Sequence, residues 1–319
     1  AVADVPASTP AAPTSAAGGI EAVREARARG YDFIKPYQFI DRDTYRAIIS
    51  EARRLRLPTT GHLPELRCMR CADRALVFAQ PLDNIAHAEG LARYAGESDL
   101  APADITTLAD AVAASGAGVT PTLVTQRAIV HMYVERSVPP VPDDWLDLVD
   151  PVTRRDWNAP HNRYLSQAFR DQDGAELFPA AYDFARLLTR ELWKRGVPLT
   201  VGTDAALPGL PFGQSVHREM IELRSVGLSP IEVLRAASVN AHRLFDRSGG
   251  SGAVRAGERA ELVLLEADPL ADIRNVSKIA GVFAGGRWWT LTEIDAELQR
   301  TGDAMRSLEQ QLRRADEPH

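Results

Sequence analysis

A chain of 319 residues, 45% hydrophobic and 25% charged, can bury a large core and sits in the ordinary globular range. Its formal net charge of −6, with no basic stretch interleaved with aromatics, argues against nucleic acid as a partner. No apolar run approaches the roughly 20 residues of a membrane span, so no membrane partner is expected either.

Residues 1–19 are an Ala/Pro/Ser/Thr tract with little to bury, expected to be a flexible lead-in or linker. A helix is expected from Ile20 to Arg29, stopped by Gly30, followed by a short strand, Tyr31–Tyr37, that ends at Lys35. Asp41 or Asp43 would cap a helix running to Leu55. The cycle then repeats. Leu57–Gly61 reads as a strand delivering His62, with a helix around Cys71 to Phe78. Leu82–His87 is the next strand and Ile105–Ser115 the next helix, and Gly118–Val124 is a further strand.

From His131 to Ala180 the pattern dissolves into Pro, Trp, Arg and Asp. An insertion of that length in a compact domain is more often a functional lid than filler. A helix over Tyr182–Lys194 leads into Val197–Asp204, an apolar, β-branched run closed by Gly-Thr-Asp, which reads as a buried parallel strand ending on a carboxylate. Helices follow at Ser215–Val226 and Ser229–Leu244. Beyond Phe245, short strands at Ala260–Leu265, Ile279–Phe283 and Gly286–Trp289 precede a charged helix at 293–314. Five strand-then-helix units predict parallel α/β architecture. The expected divisions are a 1–19 linker, a 20–245 catalytic domain, a 246–292 β portion and a 293–319 helix and tail.

Lys35, His62, His87 and Asp204 each close a strand in a different unit. Parallel strands in one sheet put such ends on one rim. Two imidazoles and a carboxylate suit a divalent transition metal, zinc above all. A lysine carboxylated by carbon dioxide adds an anionic oxygen donor. Cys68 and Cys71 form a single C-x-x-C without two further ligands, so they are not expected to hold a metal.

On these motifs the chain resembles the amidohydrolase superfamily, especially its imidazolonepropionase-like and prolidase-like branch. The resemblance covers about residues 20–290. Asp-Phe-Ile-Lys35-Pro-Tyr is similar to the carboxylated-lysine strand, barrel strand four. Gly-His62-Leu-Pro and Ile-Ala-His87-Ala-Glu-Gly are similar to the metal-histidine strands five and six. Pro121-Thr-Leu123 resembles the strand-seven signature, and Gly-Thr-Asp204-Ala the strand whose aspartate binds metal and moves the proton. His217 in His-Arg-Glu-Met and the Gly227–Asn240 stretch resemble the helices that follow, and Ala260–Leu270 the return into a β-sandwich.

The resemblance implies strands four to eight of a (β/α)8 TIM barrel plus half of a small β-sandwich. It implies a metal-dependent hydrolase of amide-type C–N bonds, with a prolidase-like dipeptidase as one form, using a metal-bound hydroxide. Lys35, His62, His87 and Asp204 would be the metal ligands, Asp204 also the catalytic residue, and Tyr37 and His217 substrate contacts. The expected substrate is a small amide or dipeptide. One departure matters: the family's His-x-His is absent, the histidines being 62, 87, 131, 161, 217, 242 and 319. Strands one to three have no counterpart, which raises the expectation that the missing part is a separate chain or that copies of this chain associate. The rival reading is a non-catalytic half-barrel acting as a subunit or binding partner. The N-terminus lacks the basic region and apolar core of a signal peptide, so the expectation is a cytoplasmic protein, or an exported one whose signal was removed.

Overall fold

The computed structural model describes residues 13–37, 40–64, 74–94, 102–170, 173–245 and 251–315. Cys68 and Cys71 lie outside them. The chain divides into two compact units, one built from residues up to Thr122, Asp183–Val201 and Leu234–Gly252, the other from Leu123–Tyr182, Gly202–Val233 and Ala253 onward.

The first unit is organised on parallel strands. Strands β1 (Thr60–Gly61), β2 (Asn84–Ala86) and β3 (Gly118–Thr120) lie in that order. Thr60 stands opposite Asn84, and Asn84, Ile85 and Ala86 stand opposite Gly118, Val119 and Thr120. Parallel bridges extend the array on both sides, Ile34 to Thr59 and Val119 to Leu199. The five expected segments therefore pair in chain order. They are shorter than their apolar runs suggest. Val197–Asp204 contributes one bridge, and the segment expected as strand over Gly118–Val124 ends at Thr120, with a helix beginning at Leu123.

The helix Arg42–Arg54 forms because Asp41 caps it, its carboxylate accepting the N–H groups of Asp43 and Thr44, both at 2.9 Å. Its apolar side buries Tyr45, Ile48, Ile49 and Ala52, at about 1.5–3 kcal/mol for each large side chain. The helix Ala16–Ala28 packs against it, close enough that a Cβ on Gly19 would lie 3.0 Å from Ile48. That helix starts inside the stretch read as linker, because Ser15 caps it by accepting the Gly18 N–H.

A polar ladder ties neighbouring strands together. The Asn84 amide donates to Thr200 Oγ1 at 3.3 Å, while its oxygen accepts from Thr120 at 2.8 Å and Thr60 at 3.4 Å. Asn84 and Thr200 are buried, so each unmet group would be costly; together they meet one another's needs.

In the second unit the 131–180 insertion resolves into short helices, Asp143–Leu146, Pro151–Asp156 and Arg163–Ala168, and the first turns of Gly174–Lys194. Ile129, Met132, Tyr133, Leu165 and Ala168 form its core. Strands β4 (Leu262–Leu265), β5 (Ile279–Ala284) and β6 (Arg287–Thr290) make an antiparallel sheet in sequence order, followed by the helix Leu291–Ala315. The stretch expected as one helix over Ser229–Leu244 is two, Pro230–Ala237 and Val239–Phe245. Among the described residues no helix is long and apolar enough to cross a membrane.

Candidate functional site

The ends of the parallel strands bring together four of the six residues singled out by sequence: Lys35, Tyr37, His62 and His87. The His62 and His87 rings stand 4.5 Å apart, centroid to centroid, and the Tyr37 ring lies 4.5 Å from that of His62. The backbone presents His62 through Gly61, whose φ of +150° and 2.5 Å clearance from the Pro36 carbonyl oxygen leave no room for a Cβ. The His62 N–H then donates to that same Pro36 oxygen at 3.2 Å, which couples it to the Lys35 segment.

His87 takes a left-handed turn, φ +69°, directly after β2. Such a backbone is uncommon for a residue other than glycine. It is secured because the His87 N–H donates to Thr120 O at 2.9 Å and the Ala88 N–H to Pro121 O at 3.1 Å. The ring is buried, and burial, reinforced by the Lys35 ammonium, lowers its pKa to about 4. At neutral pH His87 is therefore a neutral imidazole, the form that can ligate a metal. Its Nδ1 lies 2.9 Å from the hydroxyl of Thr122. Lys35 acts on this ring as a positive charge; as a carbamate it would carry the opposite sign and supply oxygen donors.

Asp204 and His217 belong to the second unit. Asp204 is exposed and left-handed, φ +49°. The residue before it is braced from two sides: Thr125 donates to the Thr203 carbonyl at 2.6 Å, and Ser215 donates to the Thr203 hydroxyl at 3.2 Å. Glu219, fully buried, accepts the N–H groups of Leu123 at 3.1 Å and Val124 at 2.7 Å, so it caps the helix carrying Thr125. His217, on the helix Gln214–Ser225, is half-buried and its pKa is lowered by that burial. Among the described residues, no group of three or more His, Cys, Asp or Glu side chains is arranged to hold a metal; the imidazole pair with Lys35 is a different donor set.

Sequence reasoning missed Thr122, Asn84, Glu219 and Ser215. A signal for Thr122 was present in Pro121-Thr-Leu, but not its partner. Three arginines of the insertion, which could otherwise have met a substrate carboxylate, have partners of their own. Arg154 pairs with Glu309 at 2.6 Å, Arg155 with Asp156, and the Arg163 guanidinium lies over Tyr164.

Residues 186–289 match the model of the amidohydrolase family, a span that includes Asp204 and His217. The chain is 30% identical over 98 residues to ochratoxinase of Aspergillus niger, covering 30% of this chain and 20% of that one. Its fold is similar to that of a bottromycin amidohydrolase, with TM-score 0.70 and 24% identity over 95% of this chain and 65% of the other. It is similar also to a Xaa-Pro dipeptidase solved with methionine bound, with TM-score 0.58 and 14% identity over 90% of this chain and 63% of the other. The chain thus spans a fifth of the curated relative's length and under two thirds of these solved structures.

Proposed function

We propose that this chain is a member of the amidohydrolase superfamily, a reading supported by the family match over residues 186–289 and by the similar fold, and that it carries catalytic residues of a metal-dependent hydrolase of amide-type C–N bonds. The observation that carries the reading is the meeting of a buried His87, His62 and Lys35 on adjacent parallel strand ends. Two imidazoles with a lysine carbamate fit a divalent cation such as zinc, and Asp204 is the further ligand implied by the resemblance. A bound cation would polarise the substrate carbonyl and acidify a water.

The protein's own residues do the rest. In the role that the resemblance implies for it, Asp204, an exposed carboxylate on a braced turn, would accept the proton of the attacking water and return it to the leaving nitrogen. Tyr37, nearly half exposed beside His62, offers a ring face and a hydroxyl to the substrate. His217, neutral at pH 7, offers a further polar contact. A prolidase-like dipeptidase is the specific form favoured here, since a Xaa-Pro dipeptidase is among the similar folds.

The test is hydrolysis of dipeptides and N-acyl amino acids by the complete protein with zinc supplied. Asp204→Asn should lower kcat by about 100-fold or more, the scale of a lost general acid–base. Near-normal turnover by that variant with metal bound would overturn the mechanism. Absence of hydrolysis across the panel, with metal bound, would favour the non-catalytic reading.

A further inference from the structure

Three contacts in register join the turn at His87 to the segment after β3. The His87 N–H meets Thr120 O at 2.9 Å, the Ala88 N–H meets Pro121 O at 3.1 Å, and His87 Nδ1 meets Thr122 Oγ1 at 2.9 Å. Thr122 reaches this position only through a left-handed backbone, φ +53°, a genuine outlier for a β-branched residue. Outliers of this kind persist where the surroundings over-determine them, and they cluster at functional sites.

The third contact has a definite polarity. A threonine hydroxyl has one proton and two lone pairs. Thr122 Oγ1 donates that proton to the Pro121 carbonyl at 2.7 Å, and a carbonyl can only accept. Oγ1 therefore has only lone pairs left for the imidazole, so the ring must be the donor, through Nδ1–H. Were Nδ1 the lone-pair atom, the single hydroxyl proton would have to serve both the ring and the carbonyl. Thr122 and His87 are both buried, so water offers no ready substitute.

We infer that Thr122 is a positioning residue that locks the His87 ring in the tautomer protonated at Nδ1, leaving Nε2 as its one lone-pair donor. In the proposed metal-dependent function this is the device that makes His87 a ready ligand, since the partner of the other ring nitrogen fixes which nitrogen binds. The tautomer itself does not rest on that reading. The use made of it does.

Long-range 1H–15N correlation spectra of the full chain labelled at histidine, metal-free at neutral pH, report the tautomer directly, with His87→Gln identifying the resonances. The wild type should show Nδ1–H at His87. Thr122→Ser, which keeps the hydroxyl, should preserve it, and Thr122→Val, which keeps the shape without the acceptor, should give a mixture or Nε2–H. Zinc affinity should fall about 10–100-fold in Thr122→Val and stay near wild type in Thr122→Ser.

A wild-type ring protonated at Nε2 overturns the inference outright, whether or not the valine variant folds. So does a folded Thr122→Val that keeps both the Nδ1–H tautomer and wild-type zinc affinity. If the tautomers behave as expected but wild type shows no His87-dependent zinc binding, the positioning role stands and the metal-dependent function fails.

Discussion

Replacing Gly61 by alanine tests how the strand array presents His62. A Cβ there would stand 2.5 Å from Pro36 O, 3.1 Å from Lys35 Cγ and 3.3 Å from Pro36 N. Two of those atoms are backbone, so relief requires moving the strand that carries Lys35 and stretching the His62 N–H···O bond to Pro36. Forced overpacking costs about 1–3 kcal/mol, and holding a non-glycine residue at φ +150° costs about 1–3 kcal/mol more. The sum is about 2–6 kcal/mol, enough to consume much of a typical domain's stability of about 5–15 kcal/mol. Gly30→Ala is the control, since Gly30 has φ +80° and nothing within 4 Å of its Cβ position. It should cost only about 1–2 kcal/mol, for the left-handed backbone alone. Urea denaturation midpoints, measured with both variants, read the difference. Equal shifts for the two would refute the argument that crowding against Pro36 dictates glycine beside His62.

Glu51 accepts hydrogen bonds from Arg54 and Arg24, which hold its carboxyl at about 2. A depressed folded-state pKa gives stability that is present above the usual 4.5 and lost as pH falls from there toward 2. Glu51→Gln should accordingly melt below wild type at pH 7, with the gap in Tm closing between pH 4.5 and 2; a gap independent of pH would exclude the ion pairs as its source. Glu219→Ala should strand the buried N–H groups of Leu123 and Val124 and cost about 2–5 kcal/mol in chemical denaturation, whereas an unchanged midpoint would mean other acceptors replace the carboxylate. Elemental analysis after dialysis should find no more than one tight zinc per chain, lost in His87→Ala, because the sequence has one imidazole pair at strand ends and no His-x-His; two tight equivalents would defeat that assignment.

The order of the parallel strands was legible because each carries an apolar run punctuated by glycine or proline, and four of the five are closed by a lysine, histidine or aspartate. Lys35, His62 and His87 could be named for the same reason. Side chains that terminate adjacent parallel strands share a rim whatever the loops between them do. Strand lengths were not legible. Hydrophobic runs mark burial, and residues such as Leu123 and Val124 are as buried at the start of a helix as they would be in a strand. The deciding factor is Glu219, almost a hundred residues away, which satisfies the two N–H groups that a helix start leaves open. No local pattern contains that information.

The same distinction separates the ligand candidates from the groups that govern them. Metal-binding residue types are few, so a histidine at a strand end stands out, whereas threonines are common and reveal nothing until a neighbour is known. Thr122 acquires a role only because the chain turns left-handed at both His87 and Thr122, and neither turn has the glycine that usually signals one. Those two backbones are held by hydrogen bonds between residues 87–88 and 120–122, more than thirty positions apart. The chemistry of His87, neutral and with a defined lone pair, thus depends on pairing between β2 and β3. A change that slips that register by one residue would leave every candidate ligand in the sequence and still remove the acceptor that orients the ring.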